Sequence, residues 1–170
     1  MSTDIRRHAR PGDLPDSPGD LSIALVCGRF NRGVVEGLVD GATETLAAHG
    51  VAHESIDVVW APGALEIPQV AATIAQAGRH DAIVALGAVI RGDTYHFEVV
   101  CDQSAAGLMQ LSMTGDAVVT NGILTVDDDE QARVRSGTDE RNKGHEAALA
   151  ALETIAARRH GGSLHIRGVR

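Results

Sequence analysis

Apolar runs of strand length punctuate the chain, each followed by a polar loop and then by apolar residues at helical spacing. The first run, LSIALVC over 21–27, is short and rich in β-formers, which predicts a buried strand. A polar loop from Gly28 to Gly33 leads into Val34, Val35, Leu38, Ala42 and Leu46, one face of a helix that Gly50 stops. A second strand is predicted over 55–60, ending in Ala61-Pro62-Gly63. A second helix follows over 64–77, with Pro68 tolerable only in or near its first turn and Gly78 closing it. Strand three covers 82–90, helix three 96–113 and strand four 117–124. The acidic run Asp127 to Glu130 suits a helix start, and that fourth helix runs to about Arg135. The last helix, over 144–159, has Ala148, Leu149, Leu152, Ile155 and Ala156 as its stripe.

Strand and helix therefore alternate from residue 21 onward, and three strands are apolar throughout. That is the pattern of an α/β protein whose parallel sheet is covered on both faces. In such sheets ligands bind beyond the carboxyl ends of the strands. Each unusual loop falls at such an end: Phe30-Asn31 after strand one, Gly63 to Glu66 after strand two, Arg91 to His96 after strand three. Residues 1–20 lack apolar periodicity and are expected to form a flexible arm, disordered alone or laid along a neighbouring subunit. Residues 21–159 make the domain, and 160–170 a flexible, Gly-rich basic tail tethered through Gly161 and Gly162.

Composition sharpens this picture. Hydrophobic residues are 44% of the chain but aromatics only 2%, so the core must be built from Ala, Val, Leu and Ile. Phe30, Trp60, Tyr95 and Phe97 are the complete aromatic set, and two of them flank His96. A net charge of −8 argues against non-specific nucleic-acid binding, which needs a basic face. Cys27 and Cys101 make neither a disulfide framework nor a zinc site; as buried reduced thiols they fit the cytoplasm. No apolar run approaches the roughly 18–20 residues of a membrane span, and the polar N-terminal stretch lacks the apolar core of a signal peptide.

The chemistry concentrates in GAVIRGDTYHFEVVC, 87–101. A strand, a short glycine-bearing loop and a helix start form the layout in which backbone N–H groups point at an anion. Directly behind the loop stands His96, of the one side-chain type that shuttles protons near neutrality without special tuning. Phe30, in a polar loop, either stacks on a flat heterocycle or anchors the loop. Glu66 either accepts hydrogen bonds from a polyol or amine, or complements a helix dipole. Arg135 and Lys143 flank a Gly-containing break; they are solvated surface unless the substrate carries a phosphate.

These residues carry a resemblance. GRFN at 28–31, PGALEIP at 62–68, GAVIRGDTYHFEVVCD at 87–102, NGILT at 121–125, EQARVRSG at 130–137 and NKG at 142–144 occur in order. Across about 21–159 the chain resembles the 6,7-dimethyl-8-ribityllumazine synthase family of riboflavin biosynthesis. The resemblance implies a flavodoxin-like single-domain α/β/α sandwich with a mainly parallel four-stranded sheet. It also implies a cofactor-free condensation of 5-amino-6-(D-ribitylamino)uracil with 3,4-dihydroxy-2-butanone 4-phosphate, giving the lumazine, phosphate and water.

Carried over by position, Phe30 stacks on the pyrimidine, and Ala64, Leu65 and Glu66 contact the ribityl chain. The backbone of Ala88, Val89 and Ile90 reads the uracil edge, Asp93 and Thr94 sit at the phosphate, and Arg135 is its counter-charge. His96 transfers protons, and Lys143 is a further contact. Asn121 stands where many members carry an aromatic residue, so one wall of the pyrimidine site would be an amide face. The family forms pentamers with active sites between subunits, and some members build sixty-subunit shells. Two other readings stay open on the same fold: an archaeal-type riboflavin synthase, and a non-catalytic flavin-binding or shell-forming protein. In the tail, Leu164 and Ile166 alternate like one face of an extended strand, loosely resembling the tags that encapsulating shells capture.

Overall fold

The computed structural model describes residues 14–165, with side chains described as far as Gly161. Residues 1–13 of the expected arm and 166–170 of the expected tail lie outside the described residues. The chain runs β1 (Ile23–Gly28), α1 (Arg32–Ala48), β2 (Ile56–Ala61), α2 (Ile67–Gln76), β3 (Ala82–Ile90), α3 (His96–Thr114), β4 (Val118–Val126), α4 (Asp129–Arg135) and α5 (Lys143–His165). Ahead of β1, Leu14 packs on the core and Pro18–Asp20 forms a 3-10 turn, so residues 14–20 lie against the domain.

All strand pairs are parallel, in the order β2-β1-β3-β4. The chain leaves β1 to one side for β2 and returns to its other side for β3. The carboxyl ends of β1 and β3 therefore flank a topological switch point, the crevice where α/β sheets bind ligands. Side chains alternate along β1: Ile23, Leu25 and Cys27 face the layer of α1, α4 and α5, while Ala24 and Val26 face α2 and α3. Burial on both faces explains why this strand is apolar throughout. Edge strand β2 leaves Asp57 and Val58 exposed.

Several boundaries differ from the periodicity, each for a local reason. Helix α2 begins at Ile67 rather than at 64, because the Pro68 ring would collide with the carbonyl four residues back in a longer helix. Strand β4 continues to Val126, since Thr125 and Val126 pair with Val89 and Ile90. Helix α5 runs through Gly161 and Gly162 to His165, beyond the expected end near 159. Elongating an existing helix adds a hydrogen bond per residue without a new nucleus, which offsets the cost of about 1 kcal/mol per glycine. Leu164 is thus helical, and the two glycines are not a tether.

Both cysteines are free; Cys27 is buried, but Cys101 is only half-buried on α3. Burial pushes the Cys27 thiol up to about 12, which makes it an inert core residue.

Candidate active site

Three loops converge at the carboxyl ends of β1, β2 and β3. Asn31 caps α1 in the left-handed region, φ 55°, which Asn tolerates better than most residues. From there its Nδ2 donates to the Ala88 carbonyl at 3.0 Å, tying the loop after β1 to the end of β3. Beside it, Arg29 N–H donates to the Ala61 carbonyl at 2.9 Å, tying the same loop to the end of β2. Phe30 is left 75% exposed, so it is not core. A Cβ placed on Gly63 would lie 3.3 Å from the Phe30 ring and 3.2 Å from Glu66 Oε2. Ring and carboxylate therefore meet over one bare stretch of backbone. Ala64 is buried there, Leu65 exposed and Glu66 half-buried.

At the end of β3, Ala88 is buried and Val89 and Ile90 are half-buried, next to the Asn31 bridge. Asp93, Thr94, Tyr95 and His96 are all exposed. Helix α3 starts at His96 with no side-chain cap, and Phe97 N–H in its first turn donates to the Thr94 carbonyl at 3.4 Å. The His96 ring makes no hydrogen bond among the described residues.

Arg91 fixes the direction of this loop, a role the sequence did not disclose. Its Nε donates to Asp127 at 3.0 Å, its Nη1 to Glu98 at 2.5 Å, and its guanidinium lies 4.0 Å from the Phe97 ring centre. Arg91, before Tyr95-His96, thereby holds Phe97 and Glu98, after them. The hydrogen bond from Arg91 holds the Glu98 carboxyl below its usual range, and Glu98 and Asp127 raise Arg91 in turn.

The remaining site residues form a second group, on the β4 side. Asn121 pairs with Ala85, five residues or about 16 Å before the end of β3, and is level with Val26, two residues before the end of β1. Its Oδ1 accepts from Ile123 N–H at 2.9 Å, satisfying an amide on the open edge of the sheet. Asn121 and Lys143 line one cavity of about 430 Å³ between β4 and the start of α5. Lys143 donates to Glu146 at 2.5 Å, Arg133 to Glu130 at 2.6 Å and Arg141 to Asp139 at 2.6 Å. Arg135 differs from these cations. Half-buried at the end of α4, it donates to the Gln131 backbone carbonyl at 3.1 Å and faces no carboxylate among the described residues.

A cavity of about 810 Å³ lies at the opposite end of the sheet, between the amino ends of β3 and β4, lined by His80, Asp81, Asp116 and Arg158. It shares no residue with either group.

The model of the family described as 6,7-dimethyl-8-ribityllumazine synthase matches residues 20–159. This chain belongs to that family. A protein of Kosmotoga olearia named 6,7-dimethyl-8-ribityllumazine synthase is 49% identical over 139 residues, 82% of this chain and 89% of the relative. A protein of Leuconostoc mesenteroides with the same name is 49% identical over 133 residues, 78% of this chain and 85% of the relative. The four-stranded parallel sheet with its helical layers is the α/β fold expected for the lumazine synthase family. Nothing in these likenesses favours a riboflavin synthase or a protein without activity.

Proposed function

We propose that this lumazine synthase family member performs its condensation in a site divided between adjacent copies of the chain. The reaction is the penultimate step of riboflavin biosynthesis: 5-amino-6-(D-ribitylamino)uracil and 3,4-dihydroxy-2-butanone 4-phosphate give 6,7-dimethyl-8-ribityllumazine, phosphate and water. The observation that carries the site assignment is the meeting of Phe30 and Glu66 across Gly63, beside the loop that ends in His96. Phe30 stacks on the pyrimidine, Ala64, Leu65 and Glu66 hold the ribityl chain, and the backbone of Ala88 to Ile90 takes the uracil edge. Asp93 and Thr94, at the uncapped start of α3, contribute at the phosphate through the backbone. Imine formation, phosphate elimination and ring closure all move protons, and His96 carries them, an effect worth roughly 10²–10⁴-fold. Much of the remaining acceleration comes from holding two reactants together.

Asn121, Arg135 and Lys143 complete the site of the neighbouring copy. The mid-strand register of Asn121 on an open sheet edge supports this division. Among the described residues Arg135, near the α4–α5 connection, faces no carboxylate, which suits a counter-charge for an incoming phosphate. Helix α3 supports assembly as well: Tyr95, Val99, Met109 and Met113 are exposed and fall on one face of it. The functional unit is a pentamer or a sixty-subunit shell in the cytoplasm, built from the 21–159 domain. A shell partner that captured the tail would have to accept a helix as far as His165.

Incubating the purified protein with both substrates and following lumazine absorbance tests the reading. No lumazine, or riboflavin formed from added lumazine, would overturn it.

A further inference from the structure

The connection between α4 and α5 hangs on one buried amide. Asn142 is only 2% exposed. Its Nδ2 donates to the Gly37 carbonyl at 2.8 Å and to the Gly137 carbonyl at 2.7 Å, and its Oδ1 accepts from Gly144 N–H at 2.7 Å. Both donors and one acceptor site of the amide are thus used on backbone groups from α1, the end of the connection next to α4, and the start of α5. Bare backbone makes room for it: a Cβ on Gly41 would lie 2.6 Å from the Asn142 amide, and one on Gly37 2.2 Å from the Ser136 carbonyl. The rest of the connection is a tight turn, with Asn142 N–H donating to the Asp139 carbonyl at 3.0 Å and Arg141 N–H to Asp139 Oδ1 at 2.9 Å.

The two ends of this staple are where the proposed phosphate contacts stand. Arg135 ends α4, two residues before Gly137, and Lys143 follows Asn142 directly. No aspartate or glutamate holds Arg135 from its own helix, so its place depends on how the end of α4 is pinned. We propose that Asn142 is a positioning residue for the phosphate end of the site: it pins the α4–α5 connection to α1 and so fixes where Arg135 and Lys143 stand. This rests on the assignment of Arg135 as the phosphate counter-charge. Asn142 itself is enclosed and touches no substrate.

The test compares Asn142→Ser and Asn142→Ala with Arg135→Ala, alone and combined, in the full-length assembly. Each Asn142 variant should raise KM for the four-carbon phosphate by about tenfold, as a misplaced charged hydrogen bond does, while KM for the pyrimidine stays within about twofold. In the Arg135→Ala background the same substitutions should add much less to that KM, because only Lys143 is left for them to misplace. An equal rise in both KM values, or an effect that persists in full without Arg135, overturns the positioning role and makes Asn142 a general stabiliser. An unchanged phosphate KM in Arg135→Ala alone would instead sink the assignment of Arg135, and the positioning role with it. Should neither Asn142 variant fold, the unaltered protein decides the matter. Saturating inorganic phosphate should slow hydrogen exchange over residues 136–144, since a ligand that needs the pinned connection stabilises it. Unchanged exchange there overturns the proposal.

Discussion

His96 stands exposed at the first position of α3, its ring without a hydrogen-bond partner among the described residues. Nothing in the fold depends on its ring, so His96→Ala should leave folding and assembly intact. Turnover should fall by about one to two orders of magnitude, since proximity of the reactants still operates when proton transfer is lost. Wild-type turnover in stopped-flow assays would remove His96 from the mechanism. That Phe30 and His96 lie outside the core was legible in the sequence, because an aromatic or a histidine in or beside a glycine-bearing loop has no core to belong to. Arg91 and Asn142 were not. A cation in a polar loop and an amide before a helix look ordinary until the partners from Asp127 and Gly37, distant in sequence, come into place.

Among the elements, α1 and α5 approach closely at Gly144, where a Cβ would lie 2.0 Å from the Leu38 carbonyl. A rigid backbone atom cannot yield as a side chain can. Gly144→Ala should therefore destabilise the protein by about 3 kcal/mol, the upper part of the usual overpacking range, in denaturant unfolding. Gly33→Ala, in α1 with nothing within 4 Å of the added carbon, should be neutral or stabilising by up to about 1 kcal/mol. Equal effects from the two would refute the close packing. The clamp between β3 and α3 has its own signature in pH. Glu98 titrates below its ordinary 4.5 when folded, chiefly through the Arg91 hydrogen bond. Its contribution is thus fully present above that value and fades as pH falls through the folded one. The melting-temperature difference between wild type and Glu98→Gln should hold at neutral pH and shrink below 4.5. A difference that stays constant down to strongly acid pH would mean that the pair contributes nothing through charge.

At the scale of the whole molecule, one copy of the chain presents Phe30, Glu66 and His96 at the sheet's carboxyl end and Asn121 in mid-strand on the open edge, two strands away from β1. In the proposed shared site the two groups come from different copies, and the apolar face of α3 gives a second copy something to cover. Light scattering at micromolar concentration should accordingly report a pentamer or a larger multiple; a monomer that makes lumazine would refute the shared site. The element order and the parallel sheet follow from the sequence alone, because hydrophobic period and glycine punctuation are local properties of the chain. Loops at strand ends were marked in the same way. Tertiary structure alone decided the rest: that β4 pairs with β3 as far as Val126, that Arg91 reaches Asp127, and that Asn142 holds three segments together. The physical reason is common to most of these. Hydrogen bonds and close approaches between residues far apart in sequence leave no periodic trace, and they exist only once packing has brought their partners within about 3 Å.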